Sequence, residues 1–168
     1  MVGAQLTPAP VVIRRASWAE VWPAAEPLMR AHWDELRTGS GPLAAQPFEV
    51  DVPLAQAMDG AGILVISAAW DGPRLVGYCF WYRSTLLEAK GVSVASHGPW
   101  YVAEPYRNTT IGLRLYRHSK KQLEELGVCF AMPHHWELGA GRRLGELYSR
   151  DGAVPLETVW IERLGRGI

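Results

Sequence analysis

A chain of 168 residues, 48% apolar and 20% charged, has the composition of an ordinary globular protein and is long enough for one domain with a full core. Seventeen basic residues balance seventeen acidic ones, which argues against broad electrostatic capture of nucleic acid or of an anionic membrane. No apolar run approaches the ~18 residues of a membrane span and residues 1–10 lack the form of a secretory signal, so the expectation is a soluble, cytoplasmic protein.

Residues 1–10 read as an extended or disordered lead and residues 11–168 as a single domain. Val11, Val12 and Ile13 predict a short strand flanked by Arg14 and Arg15. Ser17 and Glu20 have the spacing of a capping box at the start of a helix. Pro23 and Pro27 follow, and an interior proline costs roughly 3 kcal/mol unless the chain kinks. They therefore predict an opening turn and a main helix from Pro23 to Leu36, with Val21, Ala25, Met29, His32 or Trp33, and Leu36 as its apolar stripe. Residues 37–48 are a loop by composition. Asp51 can cap a short helix that carries Pro53 in its first turn and ends near Gly60.

Residues 63–70 then form a buried strand, Asp71-Gly72-Pro73 a turn, and residues 75–82 the partner strand of a hairpin. Residues 83–90 fit a loop or a continuation of that strand. Residues 91–102 make a third strand, in which Gly98-Pro99 suits a bulge. Cys79 and Cys129 each sit in an apolar run, which predicts two small buried hydrophobes in a reducing compartment. Eight tryptophans imply a thick aromatic core or an aromatic-lined surface.

Residues 100–127 hold the pattern around which the rest is arranged. Trp100, Tyr101 and Val102 suit a strand, Pro105 interrupts it, and from Ile111 the apolar spacing becomes helical through Leu115, Gln122 or Leu123, and Leu126. Gly127 supplies the left-handed residue just past the helix end. A strand that feeds a helix through a short turn leaves backbone N–H groups and a partial positive charge at the helix start, a place for a phosphate. Residues 128–132 form the next strand. Residues 138–150 form a helix weakened by Gly139, Gly141 and Gly145 and closed by Asp151-Gly152, and residues 156–164 the last strand. The hairpins imply antiparallel neighbours and the helical crossover a parallel pair, so the expected fold is α/β with a mixed sheet. Nucleophile-elbow, Walker-type, dinucleotide and Cys-x-x-Cys motifs are lacking from the sequence. His134 and His135 are adjacent on a strand and point to opposite faces, so no metal site is expected.

Tyr106-Arg107-Asn108-Thr109-Thr110-Ile111-Gly112 resembles the pyrophosphate loop of the GNAT N-acetyltransferases, whose usual pattern is Arg/Gln-x-x-Gly-x-Gly/Ala. Arg107 and Gly112 fit its ends, and Thr110 stands where a glycine is usual. The order of elements is also similar to that of the GNAT fold. That resemblance implies a mixed, mostly antiparallel sheet of six to seven strands flanked by about four helices, splayed at a slot for coenzyme A. His32-Trp33-Asp34-Glu35-Leu36, Asp71-Gly72 with Leu75-Val76-Gly77-Tyr78, Glu104-Pro105-Tyr106-Arg107, Leu147-Tyr148 and Trp160-Ile161-Glu162-Arg163-Leu164 are, in that order, similar to a GNAT-like subgroup common in bacteriophage genomes.

The resemblance implies acetyl transfer from acetyl-CoA to an amine on a small molecule or a protein. Arg107, Asn108, Thr109, Thr110, Ile111 and Gly112 would hold the pyrophosphate, unless Thr109 or Thr110 is simply a helix cap. Trp100, Tyr101 and Val102 would pair with the pantetheine arm, or be core. Tyr148 would protonate the departing thiolate, since a free phenol keeps its proton to a pH near ~10, or else pack under the last strand. His97 is a candidate base with an unperturbed value of ~6.5. Arg114, Arg117, Lys120 and Lys121 form a solvated face or a partner for the 3′-phosphate. The alternative is a GNAT-fold binding or structural module without catalysis, for instance within a phage particle or against a host protein; under either reading the expected assemblies are a homodimer or incorporation into a phage assembly. Thr110, the want of a carboxylate on the third strand of the run before Glu104, and the tryptophan content motivate the alternative.

Overall fold

The sheet takes its strands in chain order: β1 (Val12–Ala16), β2 (Leu64–Asp71), β3 (Arg74–Thr85), β4 (Ser93–Val102) and β5 (Phe130–Met132). β1 to β4 are antiparallel neighbours, and β5 joins β4 in parallel. The helices are α1 (Trp18–Arg37), α2 (Val52–Gly60), α3 (Ile111–Glu125) and α4 (Gly141–Arg150). The computed structural model describes residues 10–37, 45–135 and 141–156. Five strands among the described residues stand against the six to seven expected, because the strand expected at 156–164 lies, apart from Leu156, outside them. The expected lead, apart from Pro10, and most of the 37–48 loop lie outside them too. By its internal contacts the chain divides into two compact units, Met1–Met29 with Asp51–Met132, and Arg30–Val50 with Pro133–Ile168.

α1 is one continuous helix, not an opening turn followed by a main helix. Pro23 and Pro27 are four residues apart and exposed, so the carbonyls that lose an N–H partner lie on the side where water can replace it. The capping box forms: the Glu20 N–H donates to Ser17 Oγ at 3.2 Å. Arg14, now inside β1, is hydrogen-bonded to the Glu20 carboxylate and, together with the Ser17 N–H, holds it below the usual carboxylate range. Asp51 caps α2, its Oδ1 accepting from the Leu54 N–H at 2.9 Å.

β3 extends through residues 83–85, and its stretch from Leu75 to Trp81 is buried throughout because both faces of the sheet are covered. Cys79 and Trp81 point to α3, where Ser119 Oγ lies 3.4 Å from Cys79 Sγ and accepts from Trp81 Nε1 at 2.9 Å. Tyr78 and Phe80 point the other way, and Trp18 of α1 meets Phe80 edge-on at 6.2 Å while stacking on Trp22 at 5.0 Å. The bulge is where Gly98-Pro99 placed it: Phe80 alone faces both residues between the pairs Trp81↔His97 and Cys79↔Trp100. A Cβ on Gly98 would stand 2.9 Å from Tyr82 Cε2 and 3.1 Å from Phe80 O, so the close approach of the strands there requires glycine.

α3 ends in paired bonds, Val128 N–H to Leu123 O at 3.0 Å and Gly127 N–H to Glu124 O at 3.0 Å, around Gly127 at φ +73°. Cys129 departs from expectation. Cys79 is buried but Cys129 is exposed. Its apolar run falls on a three-residue edge strand paired on one side only among the described residues, which also leaves Phe130 61% exposed.

Candidate functional site

β5 pairs with β4 over Val94↔Phe130, Ala95↔Ala131 and Ser96↔Met132, and no further. From residue 97 to residue 102 β4 is held by β3 on one side and by no strand on the other, among the described residues. Pairing between the two strands therefore ends at Ser96, where β5 ends. The phase of the open edge follows from one bond. Ala103 N–H donates to Val76 O at 2.9 Å, so the antiparallel alternation turns Tyr101 toward β3 and turns the N–H and C=O groups of Trp100 and Val102 outward.

This edge runs into a short turn, Glu104–Tyr106, and then the loop before α3. Tyr106 Oη donates to Asp71 Oδ2 at 2.6 Å and anchors the turn on the β2–β3 hairpin. That bond to a carboxylate raises the Tyr106 pKa. Thr109 Oγ1 donates to Tyr106 O at 2.6 Å and accepts from the Ile111 N–H at 3.2 Å, closing the loop on itself. Asn108 is its only non-glycine residue at positive φ, +61°, a conformation asparagine tolerates. Thr110 is the N-cap of α3 by position, at φ −79° and ψ −2°, yet its hydroxyl makes no capping bond. So Thr109, not Thr110, plays the capping role, and it does so while leaving the Gly112 and Leu113 amides at the open helix start. Arg107 Nε donates to Val102 O at 2.9 Å, and its guanidinium lies 5.0 Å from the centre of the Tyr101 ring.

The side chains of Trp100 and Tyr101 go to opposite faces. Trp100 stacks on Tyr116 of α3 at 5.2 Å, and Tyr101 stacks on Tyr78 at 6.0 Å. A Cβ built on Gly112 would meet Val102 and Trp100 only at 3.7 and 3.8 Å, ordinary contacts, so the helix start packs on β4 without crowding. His97 is 4% exposed. Its imidazole lies 4.6 Å from Trp81, 5.7 Å from Trp100 and 6.3 Å from Tyr116, with Nε2 3.4 Å from Cys79 Sγ. Burial pushes the Cys79 thiol up to about 12 against the opposing bonds of Ser119 and Trp81.

A second polar group under α3 had no signal in the sequence beyond Gln122 falling on an apolar stripe. Ser67 Oγ donates to Gln122 Oε1 at 2.7 Å, and His118 Nδ1 lies 3.1 Å from Ser67 Oγ. With the one Ser67 proton given to Gln122, a hydrogen bond from His118 to Ser67 Oγ takes the tautomer that carries its proton on Nδ1. Desolvation holds His118 below the usual imidazole value, ahead of Glu125, which raises it, and Lys121, which lowers it.

Tyr148 belongs to the other unit. It is buried on α4, its Oη donating to His134 O at 3.2 Å and its ring 5.9 Å from that of His135. His135 in turn lies against Gly145, where a Cβ would come within 3.0 Å of the imidazole. Desolvation, then the neighbouring His135, holds His134 below the usual value. Among the described residues no cluster of three metal-ligating side chains occurs, and no helix is long and apolar enough to cross a membrane.

No family model and no curated protein matches the sequence. Solved structures match its fold over nearly the whole chain. The ribosomal-protein-alanine N-acetyltransferase of Brucella melitensis is 17% identical, with a TM-score of 0.67 over 93% of this chain and 100% of that one. An aminoglycoside acetyltransferase from an uncultured soil metagenomic sample is 14% identical, with a TM-score of 0.70 over 94% and 100%. The glucosamine-6-phosphate N-acetyltransferase of Arabidopsis thaliana is 8% identical, with a TM-score of 0.63 over 94% and 100%. The chain has a GNAT-like fold.

Proposed function

We propose that this chain is a member of the GNAT family that transfers acetyl from acetyl-CoA to a primary amine. The observation that carries the reading is the open edge of β4, residues 97–102, leading straight into the amide-rich start of α3. The fit of a pyrophosphate is tested by Thr110. Its backbone lies in the right-handed region open to every residue, so the loop keeps its course without the usual glycine. The outward groups of Trp100 and Val102 would bind the pantetheine amides. The amides of Thr110, Gly112 and Leu113, with Arg107, would bind the pyrophosphate.

Acetyl-CoA supplies the activated thioester. The protein's part is to hold the arm along β4, to orient it by its phosphates, and to provide a proton. The family resemblance gives that last task to Tyr148, whose Oη is in the donor form in its bond to His134 O. The names of the structural neighbours set the first acceptors to try: a peptide beginning with alanine, an aminoglycoside and an amino-sugar phosphate. A cytoplasmic setting, in a bacterial host if the chain is phage-encoded, belongs to the same proposal, and the phage likeness rests on sequence motifs alone.

Calorimetric titration with acetyl-CoA and with desulfo-CoA tests the reading before any acceptor is known. Both should bind, and acetyl-CoA should raise the melting temperature. Tyr148→Phe should then slow transfer while leaving cofactor affinity nearly intact. Lack of any binding at millimolar acetyl-CoA would reject the enzyme and leave a GNAT-fold binding module, which should travel with a partner in size-exclusion chromatography.

A further inference from the structure

One side chain connects the open edge of β4 to the loop that follows it. Arg107 is exposed and folds back five residues so that Nε stands 2.9 Å from the Val102 carbonyl oxygen. That carbonyl points away from β3, along the open edge. Arg107 Nε therefore stands where the N–H of a chain added to the edge would be, because strand addition works through just these outward groups. The guanidinium also lies over the face of Tyr101, a surface cation–π contact.

We propose that Arg107 is a specificity latch on the β4 edge. It blocks the Val102 carbonyl against extended ligands that offer only amides. It yields to those that also carry a phosphate, which the released guanidinium can pair with. The same residue thus opposes one half of a pantetheine-phosphate ligand and favours the other, and the chain discriminates against unphosphorylated pantetheine thioesters. The inference rests on the acyl-CoA reading, and it concerns selection between ligands where that reading concerns binding.

The experiment compares the wild-type chain and Arg107→Ala by calorimetry with two probes, acetyl-CoA and S-acetylpantetheine, which has the same amides and thioester but no phosphate. Losing a charged phosphate partner should weaken acetyl-CoA about tenfold. Unblocking the Val102 carbonyl should strengthen S-acetylpantetheine by about fivefold, the worth of one hydrogen bond. Opposite signs for the two probes support the latch; a residue that merely braced the loop would move both the same way. The proposal is overturned if Arg107→Ala binds S-acetylpantetheine no better than the wild type, or if neither protein binds it at millimolar concentration. Absence of acetyl-CoA binding by the wild type would instead reject the acyl-CoA reading, and the latch with it. Arg107→Lys, which keeps the charge on a different reach, should retain more acetyl-CoA affinity than the alanine variant. A circular-dichroism melt of each variant confirms that the exposed substitution leaves the fold in place.

Discussion

Replacing Thr110 by glycine restores the residue that pyrophosphate loops of this pattern usually carry, and the structure fixes what should follow. Thr110 sits at φ −79° and ψ −2°, where a Cβ costs nothing, so glycine relieves no strain. Its side chain is exposed and makes no capping bond to α3, so the change removes no cap. What is left is the unfolded state, which glycine makes freer at a cost of roughly 0.5–1 kcal/mol to the fold. For a chain of this size 1 kcal/mol moves the melting midpoint by roughly 2–4 °C, so Thr110→Gly should melt about 1–4 °C lower. The loop amides stay where they are, held by Thr109 and Tyr106, and acetyl-CoA affinity should change less than about threefold, well under the 1.4 kcal/mol of a tenfold change. Calorimetry and a thermal melt read both quantities. A tenfold gain in affinity would mean that the threonine side chain stands in the ligand's path, and a higher melting temperature would mean that it strains the loop. Either result refutes the argument that Thr110 is compatible with the site.

Ser119→Ala should destabilise the chain by about 1–3 kcal/mol in urea denaturation, because it strands the buried Trp81 indole N–H that now donates at 2.9 Å; unchanged stability would show that another acceptor takes over. His118 is held below its ordinary value, so as pH falls the unfolded chain takes up its proton first. Stability that is full above a pH of about 6.5 is then lost as pH drops through that value toward the lower folded one. His118→Gln should flatten this slope in pH-dependent denaturation without abolishing it, since His134 is shifted in the same direction, and an unaltered slope would discount His118. An aromatic disulfide reagent should titrate Cys129 quickly in the native chain and Cys79 only in denaturant, since Cys79 is buried with its thiol pushed up to about 12. Two fast thiols would contradict the packing between β3 and α3.

What the sequence disclosed and what it withheld have physical explanations. Turn and cap chemistry is local, so Asp51, Gly127 and Gly98-Pro99 announced their elements correctly. The helical phase of Ile111, Leu115 and Leu123 placed α3. The prolines of α1 misled because their cost depends on which side of the helix they face, and that is decided by packing beyond the local sequence. Cys129 misled for a related reason, since an apolar run reads the same in a central strand and at an edge. In the candidate site, the resemblance to the GNAT pyrophosphate loop pointed to Arg107 and Gly112, but the bond of Arg107 to Val102 was not legible, because it is a matter of rotamer and edge direction. The Ser67–His118–Gln122 and Cys79–Ser119–Trp81 contacts join residues 38 to 55 positions apart along the chain, and no periodicity within one element could reveal them.

The extra residue in β4 has a consequence for timing along the strand. A strand is a two-stroke pattern in which side chains alternate between faces while amides alternate between edges, and both alternations are locked together. Continued unbroken from His97, the pattern would have put Pro99 on the outward beat, offering the open edge a residue with no N–H, and would have sent the Trp100 indole away from α3. Slipping one residue in opposite Phe80 resets the beat, so that Trp100 and Val102 face outward with intact N–H groups and Trp100 reaches Tyr116. Pairing the same sequence without the bulge would exchange the faces of every residue from Trp100 to Val102 at a stroke, whereas deleting Gly98 or Pro99 would leave Trp100 opposite Cys79 and every face in place. In this chain one bulge sets the rhythm for both the aromatic layer beneath α3 and the donors along the open edge.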